Sequence, residues 1–217
     1  MADKGLKRGV FITFEGPEGC GKSTQSKLLY EYLKARSYDC VYTREPGGTA
    51  LGERVRSILL DSDGINITDL TELLLFEANR SQIVAELIRP AVKDKKIVIC
   101  DRFSDATMSY QGYGGKIPLN IIKSVDDIAT GSLAPDLTIL LDIDTVTGLK
   151  RASSEGMDRM ESKDILYHRR VRRGYLELAK KYPKRIKVIK VKGTIEEVRR
   201  MVRREVDIVI RKYKSPG

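Results

Sequence analysis

No apolar run in the 217-residue sequence approaches the roughly 20 residues needed to span a bilayer. Residues 1–9 are polar and basic with no apolar segment behind them, so the expectation is no secretory signal peptide and a cytoplasmic location. Cysteine is scarce. Cys20, Cys40 and Cys100 are odd in number and far apart, which suits reduced, partly buried thiols rather than a disulfide framework or a metal site. Asn and Gln number only three each in a Lys/Arg-rich chain, a composition that leans towards a thermophilic source. There is no internal repeat, low-complexity segment or linker, so residues 1–217 read as one domain large enough to bury a core. An apolar fraction of 41% with 32% charged residues excludes a disordered chain.

The net charge is +10, and it is unevenly spread. Residues 1–144 hold 18 Lys/Arg and 21 Asp/Glu, whereas residues 145–217 hold 22 and 9. Such an excess can mark a polynucleotide surface. The basic runs at 169–173, 180–181 and 199–204 lack the interleaved aromatics on which bases stack. They are read as the solvated faces of two long helices, and nucleic acid is not expected as a partner.

Short β-branched runs alternate with amphipathic stretches, the pattern of βαβ units on a parallel sheet. Strands are expected at Val10 to Glu15, Cys40 to Thr43, Lys96 to Cys100, Leu137 to Leu141 and Ile186 to Val191. The third is continuous enough in Ile and Val to be buried on both faces. Helices are expected at Lys22 to Arg36, Thr49 to Leu60 and Thr71 to about Val92. A final helix starts at Thr194, where Glu197 three residues on completes a capping box.

The run Gly16-Pro17-Glu18-Gly19-Cys20-Gly21-Lys22-Ser23 carries the clearest chemistry. A loop that grips phosphate needs glycines, so that successive backbone N–H groups converge on one anion without Cβ interference. It also needs a helix N-terminus behind it, a lysine for the β/γ oxygens and a hydroxyl for Mg²⁺. Gly16, Gly21, Lys22 and Ser23 supply these between an expected strand and an expected helix. Residues 16–24, Thr24 included, are therefore the expected ATP site. A loop of this kind also requires a carboxylate at the end of a neighbouring buried strand, and Asp101 follows Ile97 to Cys100. Ser23 and Asp101 are the expected Mg²⁺ residues.

Such a loop indicates a nucleotide but not what is done with it. Three features suggest a second anion site. Arg44 ends the second expected strand and is followed by the rigid turn Glu45-Pro46-Gly47-Gly48-Thr49. Phe76 and Arg80 stand four apart on one helix face. A ring beside a guanidinium suits stacking and edge recognition of a base. Arg102 directly follows Asp101. Each alone has an ordinary reading: Phe76 as core, Arg80 as a surface ion pair.

Taken in order, Phe14-Glu15-Gly16…Gly21-Lys22-Ser23-Thr24-Gln25, Arg44 to Thr49, Leu75-Phe76 with Ala78-Asn79-Arg80, Asp101-Arg102-Phe103 and Ser109-Tyr110-Gln111-Gly112 resemble the thymidylate kinase family over nearly the whole chain. The resemblance implies an α/β fold of the P-loop NTPase type: three α/β/α layers around a five-stranded parallel sheet, with a mobile lid after the fourth strand. It implies transfer of a phosphoryl group from ATP to dTMP with Mg²⁺, and a homodimer formed through helices of the first two-thirds. By the same resemblance Phe76 stacks on thymine, Arg80 reaches its carbonyl edge and Thr107 helps read it. Tyr110 crowds the sugar's 2′ side, and Glu18 meets the sugar hydroxyl or the metal's waters. Arg44 and Arg102 hold the acceptor phosphate, and Asp101 orients it.

The sequence departs from the family pattern in one respect. Pro17, Glu18, Gly19 and Cys20 of its P-loop include no basic residue, so the catalytic arginine should come from the lid at about 151–159. The lid's middle is Ser153-Ser154-Glu155, which leaves Arg151 and Arg159, with Arg151 preferred. Either could instead be a helix-end cation. Phe103 also replaces the Tyr common after Asp-Arg, a change expected to matter little. The competing functions are a pyrimidine kinase that also accepts dUMP and a polynucleotide-stimulated P-loop ATPase.

Overall fold

The computed structural model describes residues 5–60, 66–153 and 159–214. Five strands form one parallel sheet in the order β2-β3-β1-β4-β5: β1 Val10–Glu15, β2 Cys40–Arg44, β3 Ile97–Asp101, β4 Leu137–Asp142 and β5 Ile186–Lys190. Each matches the sequence expectation to within one residue at either end. The central strands β1, β3 and β4 are buried at every position, as their unbroken apolar runs require.

Helices cover both faces. On one side, α1 (Lys22–Ala35) and α9 (Ile195–Tyr213) pack Leu29, Leu33, Val198, Val202, Val206 and Ile210 onto Ile12, Phe14, Ile99 and Ile139. On the other lie α2 (Ala50–Leu60), α3 (Asp69–Ile83), α4 (Arg89–Lys93), α5 (Ser104–Thr107), α6 (Leu119–Thr130), α7 (Thr145–Ala152) and α8 (Ile165–Lys181). Here Phe11, Val98 and Cys100 meet Ile83, Ile88 and Phe103, while Leu140 meets Val171, Tyr175 and Leu178. Alternation along β1 therefore sends Phe11, Thr13 and Glu15 towards the α8 side.

The single helix expected from Thr71 to about Val92 is α3, a π-helical turn at Val84–Ile88 and α4 in succession. Neither that wide turn nor a second π-helical stretch at Met108–Gly114 is marked in the residue pattern. The capping box of α9 forms as expected, with Thr194 and Glu197 bonding reciprocally. Arg169, Arg173, Arg200 and Arg204 lie exposed on α8 and α9, on the solvated faces read from the basic runs. The three cysteines are free and buried. Among the described residues, no helix is long and apolar enough to cross a membrane.

The strand order reverses about β1, with β3 on one side and β4 on the other. Loops leaving the carboxyl ends of these strands diverge at such a switch point and open a crevice. The loop after β1 is the Gly16–Gly21 segment.

Candidate active site

The crevice is one cavity of about 750 Å³, lined from the P-loop and Gln25 at one end to Phe76, Arg80, Thr107 and Gln111 at the other. Gly21 precedes α1 with φ +86°, a left-handed conformation open to glycine at little cost. No side chain caps the first turn of α1 and no acidic residue lies in it. Its N–H groups and the positive end of its dipole therefore remain available for an anion. Lys22 is buried along the loop, with Nζ donating to the Pro17 carbonyl at 3.0 Å and lying 3.6 Å from Cys20 Sγ. Ser23 Oγ donates to Asp101 Oδ2 at 2.5 Å. A hydroxyl and a carboxylate side by side are hard oxygen donors of the type Mg²⁺ accepts, with most of its remaining ligands coming from phosphate and water.

The parallel register sets Phe14 and Arg44 on either side of Asp101, so the ends of β1, β3 and β2 align. The chain then turns sharply at Arg102, which has φ +72° and donates its N–H to the Phe14 carbonyl at 2.9 Å. That turn aims the Arg102 guanidinium into the cavity. Nη2 contacts both oxygens of Glu18, at 3.0 and 3.1 Å, and the guanidinium lies 4.9 Å over the Tyr110 ring. The Tyr110 hydroxyl donates to Glu18 as well. Burial alone would raise the Glu18 carboxyl, but Arg102, Lys22 and the Tyr110 hydroxyl outweigh it and bring its pKa down to about 2. Glu18 is thus held as an anion inside a phosphate-binding loop.

Three residues earlier, Glu15 is pushed the opposite way. Complete burial and the nearby Asp105 carboxylate raise its pKa to about 8, against the pull of Arg102, the Phe103 N–H and Tyr175. Arg102 pulls both carboxyls down, but Glu18 pairs with it directly and also has Lys22 nearby, whereas Glu15 faces the Asp105 carboxylate.

At the end of the cavity away from the P-loop, Phe76 is half-buried on α3 and faces the cavity. Arg80 is not the surface ion pair of its ordinary reading: it is 1% exposed. It donates to Glu45 through Nε at 2.9 Å and pairs through Nη2 at 2.8 Å. Its Nη1 reaches Glu77 at 2.5 Å, Thr107 Oγ1 at 2.9 Å and Asp126 at 3.3 Å. A guanidinium has five N–H donors, so these partners leave at most one on Nη2. Burial pushes the Glu45 carboxyl up to about 7, although Arg80 opposes it. The ring found against the Arg80 guanidinium is Phe103, at 5.3 Å. Phe103 also packs edge-on against Phe11 at 4.9 Å, so its place in the core suits a ring without a hydroxyl. Arg44 lines the rim and pairs with Glu53 at 3.1 Å.

The two lid arginines separate clearly. A side chain at Gly19 would put its Cβ 2.0 Å from the Gly148 carbonyl, so only glycine lets α7 lie against the P-loop this closely. Arg151 follows Gly148 by three residues on α7 and lines the cavity. Arg159 faces elsewhere: Nε donates to the Leu59 carbonyl at 2.9 Å and Nη2 to the buried Glu72 at 2.5 Å. Glu72 in turn accepts from Gln111 Nε2 at 2.9 Å. Residues 154–158, the middle of the expected lid, lie outside the described residues.

Sequence reasoning missed one wall of the cavity and one residue behind it. Val191, Gly193, Thr194 and Ile195, the turn between β5 and α9, wall its P-loop end, and Gln25 Nε2 clamps that turn by donating to the Ile195 carbonyl at 3.0 Å. The capping box located that helix start without saying what it faced. The residue behind is Tyr175 of α8, whose contacts with Glu15 and Arg102 join residues far apart in sequence. No local signal could have found it.

A family model described as thymidylate kinase matches residues 14–202. The chain is 44% identical over 209 residues to the thymidylate kinase of Symbiobacterium thermophilum, covering 96% of this chain and 98% of that protein. It is 48% identical over 197 residues to the thymidylate kinase of Pelobacter propionicus, covering 88% and 90% respectively. The crystal structure of thymidylate kinase from Ehrlichia chaffeensis matches with a TM-score of 0.75 and 40% identity, over 92% of this chain and 99% of that one.

Proposed function

The chain belongs to the thymidylate kinase family, and we propose that the cavity at the P-loop seats ATP along that loop and dTMP between Phe76 and Arg102. It is an ATP-dependent nucleoside monophosphate kinase that transfers the γ-phosphoryl group of ATP to dTMP, giving dTDP and ADP. The observation that carries the placement is the continuity of the cavity from the α1 N-terminus to the Phe76–Arg80 face. Phosphoryl transfer requires two anions held in line with their repulsion cancelled, so positioning and placed positive charge supply most of the catalysis.

On the donor side, residues 16–24 take the phosphates, Lys22 takes the β/γ oxygens, and the β5–α9 turn takes the adenine. Ser23 and Asp101 would hold Mg²⁺, which when bound neutralises charge on the donor phosphates. On the acceptor side, Arg102 and Arg44 grip the phosphate, exchanging part of their pairing with Glu18 and Glu53 for it. Phe76 stacks on the base, with Arg80 and Thr107 at its polar edge. Glu18 and Tyr110 lie on the sugar side. Arg151 supplies the arginine that the P-loop lacks, a role supported by its place in the cavity and by the engagement of Arg159 with Glu72.

The whole chain acts as one kinase domain in the cytoplasm, and as a homodimer. Support for the dimer comes from Leu51 and Ile58 on α2, Leu70 and Leu74 on α3, and Ile121 and Ile128 on α6, all exposed apolar side chains on neighbouring helices. Sedimentation equilibrium tests it: a monomer at micromolar concentration would remove the dimer.

The substrate is tested by a coupled ADP-release assay over dTMP, dUMP, UMP, CMP and AMP, with a polynucleotide as a further arm. ADP release should be fastest with dTMP and negligible without an acceptor. Equal rates with AMP or CMP, or stimulation by polynucleotide alone, would defeat the assignment.

A further inference from the structure

Beneath the acceptor-phosphate end of the cavity lies a carboxyl that no step of the reaction uses. Glu15 is the last residue of β1, fully buried, immediately before the first glycine of the P-loop. Its side chain points away from the nucleotide side of the sheet, towards α8.

Its two oxygens are committed to two different elements. Oε1 accepts from the backbone N–H of Phe103 at 2.7 Å, and Oε2 accepts from the Tyr175 hydroxyl at 2.9 Å. The first bond holds the chain one residue past Arg102, where the backbone is in the left-handed region at φ +72°. A non-glycine residue there is strained and persists only when its surroundings over-determine it. The second bond orients Tyr175, whose oxygen lies 3.4 Å from Arg102 Nη1 and whose ring packs edge-on against Tyr110 at 6.1 Å. Glu15 therefore touches both ends of Arg102: the turn that carries it and the side chain that meets its guanidinium. It does not reach the cavity itself.

We propose that Glu15 is a positioning residue for acceptor binding, holding Arg102 in its left-handed turn and, through Tyr175, aiming the guanidinium at the acceptor phosphate. The proposal rests on the dTMP kinase assignment above and adds to it a residue with no contact to either substrate. The donor site should depend on it far less. Gly16 and the rest of the loop are also held by α7, through the Gly19–Gly148 contact on the other side of the P-loop.

The test compares Glu15→Ala, Glu15→Gln and Tyr175→Phe in the full chain, measuring KM for dTMP and for ATP separately, kcat, and the melting temperature. Glu15→Ala should raise KM for dTMP about tenfold or more while KM for ATP stays within about twofold, the split expected of misplaced acceptor contacts. Glutamine can still accept from Phe103 and can donate to the Tyr175 oxygen, so Glu15→Gln should stay within about threefold of wild type. Tyr175→Phe, which keeps the ring and loses the relay, should raise KM for dTMP about threefold to fivefold.

An unchanged KM for dTMP in Glu15→Ala would overturn the role. So would a parallel rise for both substrates, or a Gln variant as impaired as Ala. If Glu15→Ala does not fold, Tyr175→Phe decides, and an unchanged KM for dTMP overturns the role. A wild-type enzyme inactive on dTMP would instead defeat the parent assignment, so the two failures are distinct.

Discussion

Ser23 Oγ stands 2.5 Å from Asp101 Oδ2, joining the first turn of α1 to the end of β3 across 78 residues of sequence. A hydroxyl and a carboxylate paired at the mouth of a phosphate loop should organise a divalent cation. Asp101→Asn should lower kcat by about 10²-fold or more and raise the Mg²⁺ concentration needed for half-maximal rate. Steady-state rates over a Mg²⁺ titration check this. An unchanged Mg²⁺ requirement would remove Asp101 from the metal's surroundings.

Lys22 lies along the loop on the Pro17 carbonyl, and its proposed role is to take the β/γ oxygens. Lys22→Ala should cut kcat/KM for ATP by about 10²- to 10³-fold with little change in melting temperature. Wild-type turnover in that variant would sink the donor-site assignment.

Arg151 and Arg159 should fail in different ways. Arg151→Ala should lower kcat by about 10³-fold, the size of effect known for a cation placed on a transferring phosphoryl group, and leave stability nearly intact. Arg159→Ala strips the buried Glu72 of its closest cation, so it should cost about 3 kcal/mol of stability and less of the rate. Kinetics and chemical denaturation on both variants make the comparison. Equal, small rate losses in the two would mean that neither is the lid's catalytic cation.

Acid should loosen the fold through Glu18. Its folded pKa is about 2, against an ordinary value of 4.5, because Arg102, Lys22 and Tyr110 overcome the effect of burial. A depressed carboxylate contributes stability that is present above about pH 4.5 and lost as pH falls towards 2. The loss should amount to roughly 3 kcal/mol over that window. Urea midpoints at pH 5, 4 and 3 should fall more steeply for wild type than for Glu18→Gln. Parallel slopes would place the acid sensitivity elsewhere.

Phe76→Ala should raise KM for dTMP by about 5- to 150-fold, since stacking a base on an aromatic ring is worth about 1–3 kcal/mol. KM for ATP should not move. Measuring dUMP alongside dTMP reads the thymine methyl, which an apolar pocket distinguishes by about 1–3 kcal/mol. Equal KM values for dTMP in wild type and variant would take Phe76 out of the base site.

The five strands, the P-loop and the cap of α9 were legible because each depends on residues adjacent in the chain. An Ile/Val run buries itself, glycine takes the φ that Gly21 needs, and Thr194 meets Glu197 three residues away. The phosphate loop is local in the same sense, lying on one strand, one turn and one helix. The π-helical turns were hidden because their i→i+5 pairing leaves no distinct mark in hydrophobic spacing.

Side chains that act across elements could not be read that way. Arg80 sits on the expected helix face, but its burial among Glu45, Glu77, Thr107 and Asp126 exists only once β2, α3, α5 and α6 are packed together. Choosing between Arg151 and Arg159 required knowing that α7 lies on Gly19 and that Glu72 is buried beside Arg159. By itself the sequence determined the fold class, the donor loop and the family landmarks of the acceptor site. Tertiary structure alone decided which charges meet, because whether a carboxyl is driven to about 2 like Glu18 or about 8 like Glu15 depends on the neighbours that folding brings to it.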